Sequence, residues 1–134
     1  MSIGASLKRF EDERLLRGQG RFVEALRVAG CLEAVFVRAT AACGRITSRD
    51  TRAARGMPGV VAVLTGRDLV AAGINPMKCR TAMPSADGTP FHEPVRHALC
   101  LDTVRFAGEA IAIVVAETTA AALDAAEQVV VEID

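Results

Sequence analysis

The chain has 134 residues, with 16 basic and 16 acidic side chains, a formal net charge of +0, 51% hydrophobic residues and 24% charged ones. This length suits one ordinary globular domain with a core of its own. The charge balance removes the electrostatic basis for binding nucleic acid or a membrane surface. Aromatics are limited to five Phe, with no Tyr or Trp, so there is no base-stacking platform and the core must come from Val, Ile, Leu and Ala.

No run of about 18 apolar residues is present to span a membrane. Met1-Ser2-Ile3-Gly4 leads into charged residues rather than an apolar signal core. Cys31, Cys43, Cys79 and Cys100 contain no Cys-x-x-Cys pair. Without a secretion signal, free thiols are favoured over two disulfides and a cytoplasmic location is expected.

In chain order, residues 1–22 read as a charged docking arm with one helical turn before Gly18, and residues 23–134 as the folded domain. A solvated tail is the alternative for the arm. Cys31–Arg38 alternates partially and reads as a strand, followed by a shorter strand over Arg45–Asp50. Asp50 or Thr51 can cap a short helix over Thr51–Arg55, which Met57-Pro58-Gly59 ends. Val60–Leu64 is continuously apolar, predicting a strand covered on both faces, and Thr65 caps a helix over Gly66–Ala72. Residues 73–97 hold four of the five prolines and form a long irregular connection, a type of segment that commonly docks on a partner. Order returns with a buried strand, Ile111–Ala116, expected beside Val60–Leu64. An alanine-rich helix capped by Thr118 and a closing strand over Val129–Ile133 follow. The plan is α+β: two β-α-β units, Ile46–Leu64 and Ile111–Ile133, forming a mixed sheet with surface helices.

Candidate chemistry is thin. Gly18-Gln19-Gly20-Arg21 contains Gly-x-Gly but lacks the third glycine or lysine and the following helix that a phosphate cradle needs, so it reads as a turn. His92, His97 and Cys100 are the sole transition-metal candidates, and Pro94 breaks any helix that could align the histidines. Glu11, Asp12 and Glu13 lie among Arg9, Arg14 and Arg17, which favours a solvated ion-pair face over acid–base work. No nucleophile elbow, triad, P-loop or dinucleotide fingerprint is present. No catalytic, cofactor-binding or metal residue is expected in this chain.

The order of short phrases is more specific than any one of them. The chain reads Lys8-Arg9-Phe10-Glu11-Asp12, Leu16-Arg17-Gly18-Gln19-Gly20-Arg21-Phe22-Val23 and Leu32-Glu33-Ala34-Val35-Phe36-Val37-Arg38. It continues through Met57-Pro58-Gly59-Val60-Val61-Ala62-Val63-Leu64-Thr65, Val104-Arg105-Phe106-Ala107-Gly108-Glu109 and Val114-Val115-Ala116-Glu117-Thr118. This succession, from Ile3 to Asp134, resembles the start of the molybdopterin-binding large subunit of the xanthine dehydrogenase and carbon monoxide dehydrogenase family. The chain departs from that pattern at Ala39–Gly44, at Ala110 and at Glu24-Ala25.

The resemblance implies an α/β hammerhead fold. It further implies an assembly domain, or a small split subunit, of a molybdopterin-dependent oxidoreductase that hydroxylates or oxidises a small molecule. The active site would lie in another chain or segment, and this chain alone would be inactive. The parent complex is implied to use a molybdopterin-type molybdenum cofactor, [2Fe-2S] clusters and usually FAD. Implied partners are the remainder of the molybdopterin-binding subunit, an iron–sulfur subunit and an FAD subunit. The arm offers Phe10 and Phe22 among Arg9, Arg17 and Arg21, apolar anchors rimmed by arginine that suit a protein interface. Phe106, Gly108 and Glu109 join them as expected interface residues. The rival reading is a free-standing β-α-β regulatory domain that binds a small molecule. An adaptor unrelated to redox work is a third.

Overall fold

The computed structural model describes residues 3, 4, 6, 8–23, 26, 28–78, 86–90 and 93–134. Met1, Ser2, Glu24, Ala25, Cys79 and His92, singled out above, lie outside them. The chain divides into two compact units, Met1–Cys31 and Leu32–Asp134.

The first unit holds one short helix, α1 (Asp12–Leu16). Its acids open the helix and a basic residue closes it, the favourable sense against the helix dipole. Gly18 then turns the chain with φ +69°. The helical turn before Gly18 forms as expected. Leu15 and Phe22 both close on Gly20, where a Cβ would come within 2.9 and 3.0 Å of them.

The second unit contains β1 (Glu33–Arg38), β2 (Gly44–Asp50), α2 (Arg52–Arg55), β3 (Val60–Thr65) and α3 (Gly66–Ala71). It continues with β4 (Thr103–Val104), β5 (Ala110–Ala116), α4 (Thr119–Glu127) and β6 (Val130–Ile133). The α+β class holds, but the expected mixed sheet does not form. Two three-stranded sheets replace it, ordered β1-β5-β3 and β4-β2-β6, with every pairing antiparallel. Each β-α-β unit starts in one sheet and ends in the other, and the units pair with each other: β3 with β5, β2 with β6. The link between β2 and β3 is too short for a parallel crossover within one sheet. Both edges of β5 are already taken, by β1 and β3, so β6 closes on β2 instead.

Val60–Leu64 and Ile111–Ala116 lie side by side as expected, with Val63 opposite Val114. Coverage on both faces does not hold for β3. It is an edge strand in which only Val63 is fully buried, and Val61 is 56% exposed. β5 is the central strand. On one face Val114 packs with Val63, Ala54 of α2 and Ala125 of α4. At its N-terminal end Ile111 joins a second core, with Ile46, Cys100 and Val104, backed by Val131 and Ile133. Alanine accounts for the close approach of α4 to the sheet, since Ala122 and Ala125 are fully buried and a larger side chain would hold the helix off.

The caps are local. Thr118 Oγ1 accepts from Ala121 N at 3.1 Å. Asp50 Oδ1 accepts from Arg52 N at 2.9 Å, so Asp50 rather than Thr51 satisfies the first turn of α2. Thr65 donates through both N and Oγ1 to Asp68 Oδ2 at 2.7 Å, fixing the start of α3. Beyond α3 the described residues of the 73–97 connection are irregular, apart from an isolated bridge between Met77 and Arg96.

Candidate functional site

The expected interface residues fall into two groups, one in each unit. In the first unit Phe10 and Phe22 are exposed, Phe10 completely. The arginines around them are engaged within the arm. Arg9 Nε meets Asp12 at 2.9 Å, Arg14 meets Glu11 at 3.3 Å and Arg17 meets Glu13 at 2.6 Å. Such exposed pairs hold the helix surface together weakly, each contributing at most about 1 kcal/mol. Arg21 is exposed.

In the second unit Phe106, Gly108 and Glu109 come together in one tight turn. Glu109 N donates to Phe106 O at 3.2 Å, and the Glu109 carboxylate accepts from Arg105 N at 2.6 Å. Gly108 has φ +87°, a conformation that a side chain disfavours, so glycine is required there. The turn is fastened to the end of β1: Gly108 N donates to Ala39 O at 2.8 Å and Ala39 N to Glu109 O at 2.9 Å. Arg38 adds a guanidinium donor to Gly108 O at 2.9 Å while lying 5.3 Å from the centre of the Phe36 ring. Glu109 thus shapes this turn from within, and Phe106, half exposed, is its outward apolar group.

That contact leads to residues the sequence reading passed over. Phe36 lies opposite Ile113, and Ile113 opposite Leu64; Ala34, Val115 and Ala62 form the next row. These six share the face of β1-β5-β3 turned away from the α2 and α4 core, and Phe36 remains 45% exposed. The available signal was β1 itself, where Ala34 and Phe36 alternate with Val35 and Val37. Both faces of that strand are apolar, although only one packs on the described helices.

The three described thiols form no cluster site among the described residues. Cys31 and Cys43 are exposed, while Cys100 is buried and donates through Sγ to Thr103 O at 3.0 Å. Burial pushes the Cys100 thiol up from its ordinary range, so it packs as a small neutral group. Among the described residues no group of three His, Cys, Asp or Glu side chains is placed to hold a metal ion. No described helix is long and apolar enough to cross a membrane.

Two antiparallel sheets joined by helical crossovers define an α+β module of the hammerhead kind. The family "aldehyde oxidase and xanthine dehydrogenase, a/b hammerhead domain" matches residues 17–134. The chain is 41% identical over 134 residues to the nicotine 6-hydroxylase large subunit of Paenarthrobacter nicotinovorans, covering 98% of this chain and 15% of that one. It is 36% identical over 132 residues to the carbon monoxide dehydrogenase large chain of Afipia carboxidovorans, again 98% against 15%. The solved quinoline 2-oxidoreductase from Pseudomonas putida 86 superposes with a TM-score of 0.82 at 35% identity, covering 98% of this chain and 16% of that one. The chain belongs to the α/β hammerhead domain family of aldehyde oxidase and xanthine dehydrogenase. It spans about 15% of the length of these curated relatives.

Proposed function

We infer that this chain is an assembly domain, or a small split subunit, of a molybdopterin-dependent oxidoreductase that oxidises or hydroxylates a small molecule. The match to the hammerhead domain over residues 17–134, in relatives of whose length the chain spans about 15%, carries this reading. The parent complex then supplies the molybdenum cofactor, [2Fe-2S] clusters and FAD on its other segments and subunits. This chain supplies contacts.

Those contacts are the arm residues Arg9, Phe10, Arg17, Arg21 and Phe22, and the turn residues Phe106, Gly108 and Glu109. The exposure of Phe10, Phe22 and Phe106 supports this role, as does the apolar face around Phe36, because contiguous exposed apolar surface marks interaction sites. Within the set Gly108 and Glu109 act by shaping the turn that presents Phe106. A cytoplasmic location accords with the assembly.

The test is purification of the tagged chain from its native host, with the co-purifying chains sequenced and their molybdenum, iron and flavin quantified. A partner carrying stoichiometric molybdopterin is expected. Recovery of the chain alone, with saturable binding of an amino acid or purine in calorimetry, would replace this reading with the regulatory-domain one.

A further inference from the structure

β2 carries a register shift between Ile46 and Ser48 opposite β6. Ile46 pairs with Ile133 and Arg49 with Val131, two residues that lie on the same face of β6. In a regular strand Arg49 would point to the opposite face from Ile46, three positions away. The extra residue in the bulge brings its guanidinium round to the face of the buried Ile46.

A charged side chain on a core-facing position needs partners. Arg49 has one, donating through Nη2 to Cys100 O at 3.2 Å. Its Nε is fully buried with no hydrogen-bond partner, the sole such side-chain atom among the described residues. Arg49 also borders a cavity of about 340 Å³ between β2, α2 and α3, lined in addition by Arg55, Arg67, Asp68, Thr51 and Thr65. The acid there is spent locally, since Asp68 accepts from both Thr65 donors and lies 3.6 Å from Arg55. Arg67 is held at 2.9 Å by Asp102. The lining therefore carries three guanidiniums against one carboxylate, with Asp102, outside the lining, paired to Arg67. Burial is the main influence disfavouring the Arg49 charge, with Cys100 and Asp102 offsetting part of it and the Arg67 charge adding repulsion. An anion in the cavity relieves that repulsion.

We propose that this cavity is a binding site for a phosphate-type oxyanion, either the free ion or the phosphate of a small ester, gripped by Arg49, Arg55 and Arg67. Guanidinium forks match the geometry of phosphate oxygens. The Thr51 hydroxyl, which accepts from Arg55 Nε at 3.1 Å, keeps its proton to donate to such a group. The volume falls in the range of small-molecule sites and leaves room for a group beyond the phosphate itself. The proposal is independent of the assembly reading, because it needs no partner chain.

The test is calorimetric titration and thermal melting of the full chain with inorganic phosphate, glycerol phosphate and acetate, with sodium chloride matching ionic strength throughout. Saturable binding and a raised melting temperature are expected with the phosphates, and neither with acetate or chloride. The tighter of the two phosphates assigns the source. Arg49→Met and Arg67→Met should each weaken binding about tenfold, as loss of a charge-assisted contact requires, while Lys78→Gln, on an exposed residue outside the cavity, leaves it unchanged. Arg67 is largely exposed, so Arg67→Met carries the test should Arg49→Met not fold. Absence of saturable phosphate binding, equal binding of acetate, or binding that both arginine variants retain in full would overturn the proposal.

Discussion

At the scale of single residues, stability rests on a few side chains with no substitute. Val114 is fully buried between Val63 and the two helices. Val114→Asp would leave a carboxylate in that site without a partner, a cost of several kcal/mol that a domain of ordinary stability cannot absorb. The expected outcome is loss of the cooperative melt followed by circular dichroism; a soluble variant melting as one sharp transition would show the core assignment to be wrong. Asp68 works in the opposite sense, by keeping its charge. The Thr65 hydroxyl and amide hydrogen bonds, with the Arg55 guanidinium nearby, hold its carboxyl below the usual aspartate range. A folded-state pKa lowered in this way contributes stability that is complete above the unfolded value of about 4. That contribution fades as pH falls through the lower folded value. Asp68→Ala should therefore cost about 1 kcal/mol at pH 7, typical of a lost cap, and the gap from the parent chain should narrow as urea titrations are taken from pH 7 down to pH 2.5. A gap that stays constant with pH would mean the loss is one of packing alone.

At the scale of elements, α4 shows how a helix with weak amphipathicity is still held in place. Its buried positions are alanines, which contribute little apolar area each but let the helix lie close against β1, β3 and β5. Its start is defined by one hydrogen bond, Thr118 Oγ1 accepting from Ala121 N. Thr118→Ala should destabilise the domain by about 1 kcal/mol, read as a lower urea midpoint at unchanged slope. Thr118→Ser, which keeps the acceptor, should restore most of it. Equal destabilisation by both variants would place the contribution in the methyl group.

At the scale of the whole molecule, Met1–Cys31 and Leu32–Asp134 are separate compact units. Both sheets and both cores lie in the second. Deleting residues 1–16 removes the whole of α1 and its ion pairs but none of the core residues. The truncated chain should melt within a few degrees of the parent while its affinity for the partner chain drops, measured by surface plasmon resonance against the purified remainder of the complex. Unchanged affinity, or failure to fold, would remove the docking role from the arm.

Much of this was legible in the amino-acid order. The β-branched runs Val60–Leu64 and Ile111–Ala116 became strands because those side chains suit an extended backbone, and Thr65 and Thr118 stand at helix starts because a short hydroxyl side chain satisfies amides only one turn away. Family membership was legible for a similar reason, as many short phrases in a set order persist where none is distinctive alone. These features depend on near neighbours, so the sequence by itself determined them. Tertiary structure decided the rest. Whether Val60–Leu64 lies at an edge or in the centre depends on what pairs beside it, and the partners of β5 come from positions far apart in the chain. The apolar row of Phe36, Ile113 and Leu64 exists only once three distant strands share a register. Arg49 reads in the sequence as one more polar residue of a short strand. A bulge opposite β6 turns it toward the core, and that bulge is set by where β2 and β6 meet, a contact between opposite ends of the domain.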